Sequence, residues 1–280
     1  MTTVREQTIE ANGIPTHVYV AGSGPAVVLL HGLGGAAVTW HPTWEGLADR
    51  FTVIVPDLPG HGRSEEPQGK YAFDEAPLWV IGVLDALDIP TAALVGNSMG
   101  GLWAAATALR YPDRVTQLVL EDSAGLGQEI SIILRVLSIP FLGELLARPS
   151  RKSLHTVLNR LVYDPTTISS DFFEELYLER ARPKNMRSWL KMLRIGVGPR
   201  GTRPEILLLD RLPKLEMPTL VIWGQQDAVF PVHHAQRAIG LIPNGLLHIF
   251  PMCGHWPHIE HSVKFNGLVG DFLTEELTQA

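Results

Sequence analysis

Cysteine is almost absent from this 280-residue sequence, which contains Cys253 alone. A single thiol cannot form an internal disulfide, and it cannot provide the several thiolates of a cysteine-based metal cluster. An excess of positive charge is also missing, because 29 Asp and Glu residues outnumber 23 Lys and Arg residues and give a formal net charge of -6. This balance argues against binding to nucleic acid.

Long apolar runs are missing as well. The most apolar long stretch, Ile130–Leu146, is interrupted by Arg135, Pro140 and Glu144 and therefore predicts no membrane span. The first ten residues carry charged side chains and have no apolar core of the kind found in signal peptides. These absences lead us to expect a cytoplasmic protein. We also expect it to be a monomer or a dimer and to act on a small molecule.

Short, continuously apolar runs alternate with helical stretches along most of the chain. Such runs are typical of parallel strands that are covered on both faces. The predicted strands are Val4–Ile9, His17–Val20, Ala26–Leu30, Thr52–Val55, Ala92–Val95, Leu118–Leu120, Thr219–Trp223 and Leu246–Phe250. Helices are predicted at Leu78–Leu87, Leu102–Arg110 and Val263–Leu277. The alternation indicates an α/β fold, with a mostly parallel central sheet flanked by helices.

The alternation stops between residues 123 and 217. This stretch is helical in character, lacks an apolar strand-like run, and is interrupted by prolines such as Pro140 and Pro165. We interpret it as a helical cap (lid) domain, residues 123–217, inserted into a core domain made of residues 1–122 and 218–280. Extra helices packed on the back of the sheet are the alternative.

A serine lies between two glycines after one predicted strand. Gly96-Asn97-Ser98-Met99-Gly100 follows the apolar run Ala92–Val95, precedes a predicted helix, and matches the G-x-S-x-G nucleophile elbow. The sharp turn from strand to helix strains the serine backbone and leaves room only for very small side chains two residues to either side. The pattern predicts Ser98 as a nucleophile above the carboxyl edge of the sheet.

A serine hydroxyl is a poor nucleophile until a base takes its proton. His255 and Asp227 each follow a late predicted strand, where an exposed base and its orienting acid would stand. The chain order Ser98, Asp227, His255 is the order expected for a triad on this kind of fold. Asp122 also follows a predicted strand and is the alternative orienting acid.

Two backbone N–H groups are expected to stabilise the negative charge that develops on the substrate oxygen. One belongs to Met99, directly after the nucleophile. The other is that of Leu33, in the glycine-rich loop His31-Gly32-Leu33-Gly34-Gly35. His31 and His61 are expected to brace loops rather than to act as a second base.

These motifs resemble those of the α/β-hydrolase superfamily, and they follow its order along nearly the whole chain: His31-Gly32, Asp57–Ser64, Gly96–Gly101 and Gly254-His255. The resemblance implies the α/β-hydrolase fold and a serine hydrolase, with no metal and no organic cofactor. A serine at the elbow separates the chain from haloalkane dehalogenases and epoxide hydrolases, which use aspartate there.

A narrower resemblance points to one subgroup. Gly96–Gly101, Cys253–Trp256, Glu260-His261 and Phe265-Asn266 are similar to the corresponding motifs of the meta-cleavage-product hydrolases. Those enzymes split a carbon–carbon bond in 2-hydroxy-6-oxo-dienoates. The resemblance implies that the substrate carboxylate and enol must be held, a task that suits an arginine on the cap.

The chain departs from that family's pattern in three places. The oxyanion loop reads His31-Gly32-Leu33-Gly34-Gly35-Ala36 instead of His-Gly-Gly-Gly-Pro-Gly. Glu175-Leu176-Tyr177 stands where the cap arginine is expected, and Arg180 and Arg182 lie one or two turns away. The asparagine that the family pattern places after the oxyanion loop is not found in Trp40–Trp44. We therefore predict hydrolysis of carboxylic esters of small apolar or aromatic substrates through an acyl-enzyme, with carbon–carbon bond hydrolysis as the alternative. A non-catalytic ligand-binding protein on the same fold is the third hypothesis.

Apolar residues at helical spacing are predicted to pack within the cap and to form a wall over the active site. This stripe is Ile130, Ile133, Leu134, Leu137, Phe141 and Leu145. We predict that Leu137 and Phe141 line the substrate pocket together with Trp256, which is adjacent to the base. His233-His234 and the histidines of His255–His261 could suggest a metal site, but the sequence shows no partner cluster and we expect none.

Overall fold

The computed structural model describes residues 4–67, 72–148 and 150–275. Its strands are β1 (Val4–Ala11), β2 (Ile14–Ala21), β3 (Ala26–Leu30), β4 (Thr52–Pro56), β5 (Ala92–Asn97), β6 (Val115–Glu121), β7 (Val197–Gly198), β8 (Gly201–Thr202), β9 (Thr219–Gly224) and β10 (Gly245–Phe250). Eight of them form one sheet in the order β1-β2-β4-β3-β5-β6-β9-β10, and β7 pairs with β8. Within the sheet, β1–β2 and β2–β4 are antiparallel, and the other neighbours are parallel.

Helices follow most of the parallel strands. They are α1 (His41–Leu47), α2 (Ala76–Ala86), α3 (Met99–Arg110), α4 (Ile132–Leu137), α5 (Leu142–Leu146), α6 (Arg151–Leu161), α7 (Ser170–Arg180), α8 (Pro183–Gly196), α9 (His233–Ile239), α10 (Pro257–Glu260) and α11 (Ser262–Glu275). Short 3-10 helices lie at Ala37–Trp40, Phe73–Glu75, Pro112–Arg114, Pro165–Thr167, Pro204–Ile206 and Leu209–Lys214. Across the described residues, no helix combines the length and apolarity that a membrane crossing requires.

Alternate residues of the central strands face two separate hydrophobic cores. In β3, Val28 and Leu30 pack in the core that includes α2 and α3. Val27 and Leu29 pack in the other core, which includes α1 and α11. Because both faces are covered, all four side chains are buried, which explains why the strand is apolar without interruption. The predicted α/β fold, with helices on both faces of a mostly parallel sheet, is confirmed.

The element ends differ from the predicted ones by a few residues. β2 begins at Ile14 rather than His17, because Asn12 and Gly13 turn with φ of 49° and 77° and form a tight hairpin whose register starts at once. The last helix spans Ser262–Glu275, and its predicted end at Leu277 lies outside the described residues.

The segment between β6 and β9, residues 123–217, is called the inserted segment below. It contains α4 to α8 and the short β7–β8 pair, so its predicted helical character is confirmed, and the two-residue strands are an addition. Its helices pack on loops beyond the carboxyl ends of the strands: Leu158 and Leu176 contact the cluster that includes Trp256, and Leu193 lies in the cluster that Leu33 joins. The inserted segment therefore covers the edge of the sheet where the predicted catalytic residues lie.

Candidate active site

The predicted nucleophile stands in a strained turn between β5 and α3. Ser98 has φ of 56° and ψ of -117°, a conformation that non-glycine residues rarely adopt. The turn forces α3 against the neighbouring strand so closely that a Cβ at Gly100 would lie 2.0 Å from the carbonyl oxygen of Leu30. The side chain of Ser98 is half-buried and faces a cavity rather than the core. This is the geometry that the elbow motif predicts.

The predicted base and acid form a direct pair. His255 Nδ1 lies 2.9 Å from Oδ2 of Asp227, and both side chains are almost completely buried. The other oxygen, Oδ1, accepts a hydrogen bond of 2.7 Å from the backbone N–H of Val229. With Nδ1 held by the carboxylate, Nε2 of the ring is left for proton transfer. The structure thus pairs His255 with Asp227, as predicted, and not with Asp122.

Ser98 and His255 line the same cavity, which has a volume of about 600 Å³. Among the described residues, the Ser98 hydroxyl has no hydrogen-bond partner, so it can rotate toward the imidazole or toward a bound substrate. Catalytic hydrogen bonds of this kind often tighten only when substrate is bound. The loops that carry the three predicted triad residues meet at the carboxyl edge of the sheet.

The two predicted oxyanion donors also border this cavity. Leu33 and Met99 both line it, and within the described parts of the chain neither backbone N–H donates to a protein acceptor. The next residue, Gly34, instead donates its N–H to Nε2 of His61 at 3.1 Å. Burial lowers the pKa of His61 to about 3, so its ring is a neutral acceptor that holds the loop. His31 similarly accepts the N–H of Leu58 at 3.0 Å, and both rings thus brace loops, as predicted.

An arginine of α7 reaches the cavity, although it lies one or two turns from the position where the family resemblance implies a cap arginine. Arg180 lines the cavity, and its Nη1 lies 3.5 Å from where a Cβ on Gly34 would be. Burial lowers the pKa of the guanidinium to about 10, so it stays charged at neutral pH. The described residues include no ion-pair partner for it. Arg182, by contrast, forms hydrogen bonds of 2.8 and 3.2 Å with Glu179 and is 42% exposed.

The apolar wall of the cavity comes from the inserted segment, and here one prediction is wrong. Leu137 and Trp256 line the cavity as predicted. Phe141 does not: it is 88% exposed and has φ of 66° at the start of α5. Pro140 ends the helical path of α4, and the chain turns so that residues beyond it no longer continue the same face. Trp189 of α8, which the sequence did not single out, lines the cavity near Gly34.

Two polar side chains whose roles were not predicted from the sequence hold the histidine loop. Asn97, next to the nucleophile, donates a hydrogen bond of 3.1 Å to the backbone oxygen of His255. Glu260 accepts from the N–H of Gly254 at 2.7 Å and from that of Tyr163, in the inserted segment, at 2.7 Å. Their positions within the elbow and after the histidine were the available signals, but His255 lies 158 residues from Asn97, and Tyr163 lies 97 residues from Glu260.

Two groups of three potential metal ligands occur among the described residues. One is Asp122, Asp227 and His255, in which the hydrogen bond of the histidine to Asp227 accounts for the close approach. The other group is Glu129, His233 and His234. The Nε2 atoms of His233 and His234 lie 3.4 and 2.8 Å, respectively, from the carboxylate oxygens of Glu129. Glu129, which lies 105 residues before His234 in the sequence, was not predicted as a partner of this histidine pair.

The fold and the site together define an α/β hydrolase with a serine nucleophile elbow. The family described as alpha/beta hydrolase fold matches residues 25–262, and the chain belongs to this family. It is 35% identical over 281 residues to 2-hydroxymuconate semialdehyde hydrolase of Pseudomonas sp. strain CF600, covering 95% of this chain and 93% of that protein. It is 33% identical to 2-hydroxy-6-oxo-6-phenylhexa-2,4-dienoate hydrolase of Burkholderia cepacia, covering 97% and 96% of the two chains.

A solved structure agrees with these sequence relatives. The meta-cleavage product hydrolase of Pseudomonas fluorescens IP01 superposes with a TM-score of 0.82 at 30% identity, covering 96% of this chain and 98% of that one. The resemblance to meta-cleavage-product hydrolases is therefore confirmed, and the hydrolase class is the part of the functional prediction that the comparisons bear out. They favour the carbon–carbon alternative over the ester hydrolysis that the sequence departures suggested.

Proposed function

We propose that the protein hydrolyses the carbon–carbon bond of a 2-hydroxy-6-oxo-dienoate, with Ser98 as nucleophile, His255 as base and Asp227 as the acid that orients it. The observation that carries this proposal is Arg180, a half-buried residue whose guanidinium faces the cavity without an anionic partner among the described residues. A desolvated, unpaired cation is unfavourable unless a ligand supplies the opposite charge. The substrate that fits therefore carries a carboxylate.

The carboxylate matters because of the bond that must break. An ester contains its own leaving group, whereas a carbon leaving group needs an electron sink. The dienol provides one after ketonisation, when the 2-hydroxyl proton leaves and C5 gains a proton to give a 2,6-dioxo compound. Arg180, by binding the C1 carboxylate next to the 2-oxo group, would orient this sink within the cavity. An uncharged ester would make no use of the guanidinium.

The remaining site residues supply the acyl-transfer steps. Ser98 Oγ attacks C6 while His255 Nε2 takes its proton, and the N–H groups of Leu33 and Met99 bind the oxyanion. Collapse breaks the C5–C6 bond, and the electron pair is delocalised onto the 2-oxygen. That oxygen then takes the proton from His255, giving 2-hydroxypenta-2,4-dienoate. Water hydrolyses the acyl-enzyme to release the second acid, so the net reaction adds one water.

The inserted segment would act as the cap in this scheme. It contributes Arg180 and the apolar wall that includes Leu137, and it packs over the oxyanion loop. The carboxylate end of the substrate would lie near Arg180, and the substituent on C6 would lie against apolar side chains. We propose the boundaries 123–217 for this cap on the same grounds.

A substrate panel tests the proposal. Purified protein is given 2-hydroxy-6-oxo-6-phenylhexa-2,4-dienoate in one series and uncharged nitrophenyl esters in another, with loss of dienol absorbance and release of nitrophenol as readouts. We expect a higher kcat/KM for the dienoate, and loss of about 10⁶-fold in kcat for Ser98→Ala with either substrate. A higher kcat/KM for the esters would restore ester hydrolysis as the function. Turnover of neither substrate, with no labelling of Ser98 by a phosphonate, would support the ligand-binding hypothesis.

A further inference from the structure

A second aspartate lies behind the Asp227–His255 pair. Asp122 follows β6 directly, is fully buried, and has φ of 42°, a conformation that strains a non-glycine residue. Its backbone N–H donates to the carbonyl of Ile222 at 2.9 Å, and its Oδ1 accepts the N–H of Gly224 at 3.0 Å. These two bonds, both to β9, fix the carboxyl group beside the triad acid.

The second oxygen of Asp122 is the unusual one. No N–H or O–H donor of the described residues reaches Oδ2, which is completely buried. One side-chain oxygen of Asp122 lies within 4.8 Å of its counterpart on Asp227 and of a ring nitrogen of His255. A buried carboxylate oxygen without a donor is costly, whereas a protonated one can itself donate. The Asp227 carboxylate beside it is an acceptor for such a bond.

The groups that face Asp122 favour the neutral form. Asp227 and Glu121 both place negative charge beside it, and Cys253 is the nearby thiol. The two histidines in this region are engaged elsewhere, His255 with Asp227 and His258 with Glu121 at 2.8 Å. Burial and then the neighbouring carboxylates raise the pKa of Asp122 well above its usual range. Two carboxyl groups this close cannot both be ionised at low energetic cost.

We propose that Asp122 is a positioning residue whose neutral carboxyl donates a hydrogen bond from Oδ2 to Asp227. This inference rests on the catalytic roles proposed above for Ser98, His255 and Asp227. The bond would add a third donor to Asp227, after Val229 N–H and His255 Nδ1, and would hold its carboxylate in the plane that the imidazole requires. It would also withdraw negative charge from Asp227 and so weaken the attraction between this carboxylate and an imidazolium at His255.

Two substitutions at one position test the proposal. Asp122→Asn keeps the shape and a side-chain donor, whereas Asp122→Ala removes the donor. We expect Asp122→Ala to lower kcat by about 10-fold with little change in KM, and to move the acidic limb of the kcat/KM profile to higher pH. The shift has this sign because Asp227, with one donor fewer, stabilises the imidazolium more strongly. Asp122→Asn should restore both the rate and the position of the limb.

Other outcomes would overturn the inference in distinguishable ways. If Asp122→Asn moved the acidic limb to lower pH, Asp122 would be ionised in the native enzyme. If it cost as much as Asp227→Asn, about 10⁴-fold by analogy with serine proteases, Asp122 would be the orienting acid itself. An Asp122→Ala variant that matched the wild type would show no positioning role.

The assay separates this inference from the proposed function. The same variants are compared by the rate at which a phosphonate labels Ser98, which depends on the triad and not on the substrate class. If the dienoate proves to be a poor substrate but labelling follows the predicted order, the substrate proposal fails and the role of Asp122 stands. If the dienoate is hydrolysed but labelling is insensitive to Asp122, the reverse holds.

Discussion

Replacing Arg180 by alanine should lower kcat/KM for a dienoate much more than for an uncharged ester. The guanidinium lines the cavity, is desolvated, and has no ion-pair partner among the described residues, so a substrate carboxylate would be its first counter-charge. Hydrogen bonds to charged groups contribute about 1.5–3 kcal/mol, which corresponds to about a 10- to 150-fold loss. The ester, which lacks the carboxylate, should lose little.

The chain offers a matched control for this experiment. Arg182 lies two residues away, but it is paired with Glu179, and its side chain is 42% exposed. Arg182→Ala should leave the ratio of the two kcat/KM values unchanged, because this guanidinium already has a carboxylate partner and is not among the residues that line the cavity. Arg180→Lys keeps the charge but loses the planar pair of donors. Its kcat/KM for the dienoate should therefore fall between those of the wild type and Arg180→Ala.

Steady-state kinetics with both substrates measure these effects. Equal losses for the dienoate and the ester after Arg180→Ala would mean that the arginine supports the fold and not the carboxylate. No loss with either substrate would refute the reasoning that led from an unpaired buried cation to an acidic substrate. Either result would remove the main structural argument for the carbon–carbon reaction.

The remaining predictions concern stability. Burial alone would lower the pKa of His17, but hydrogen bonds to two carboxylates outweigh burial and raise the pKa above its ordinary value. The resulting stabilisation of the folded protein is complete below about pH 6.5. It is lost as the pH rises through the raised pKa. Urea unfolding of wild type and His17→Gln at pH 6 and pH 9 should therefore show a smaller difference at pH 9. Gly100→Ala should destabilise the protein by about 1–3 kcal/mol or more, because the new Cβ would meet backbone 2.0 Å away. Gly267→Ala in α11, where nothing lies within 4 Å, should instead stabilise it by about 0.5–1 kcal/mol.

Each of these has a clear contrary result. A difference between wild type and His17→Gln that grew from pH 6 to pH 9 would show that the histidine is neutral in the native state. Equal effects of Gly100→Ala and Gly267→Ala in thermal unfolding would mean that α3 is not held against the neighbouring strand as closely as the structure has it.

The central sheet could be predicted because its signal is local. Val27 to Leu30 must be apolar on both sides of the strand, and the sequence shows this directly. The elbow is similarly local, because the close approach at Gly100 excludes any larger residue. The order of Ser98, Asp227 and His255 then follows from the fold, since loops after parallel strands meet at one edge.

The cavity could not be predicted in the same way. Whether Arg180 faces the cavity depends on how α7 packs over the glycine-rich loop that contains Gly34, and that packing joins residues about 150 positions apart. Helical spacing predicted Phe141 on the same face as Leu137, but spacing holds only while the helix continues, and Pro140 ends it. The comparisons support ester hydrolysis less well than its carbon–carbon alternative. The ester prediction rested in part on the absence of an arginine from Glu175–Tyr177, whereas Arg180, one turn further along α7, lines the cavity.

Glu260 ties together parts of the molecule that would otherwise be treated as separate modules. One oxygen of its carboxylate accepts the N–H of Gly254, directly before His255, and the other accepts two N–H groups, those of Tyr163 and Asp164 in the inserted segment. The N–H of His255 also donates to Leu161 at 2.6 Å. Chimeras that exchange this segment between relatives to alter specificity should therefore retain residues 161–164, since the imidazole is anchored partly on the piece being replaced.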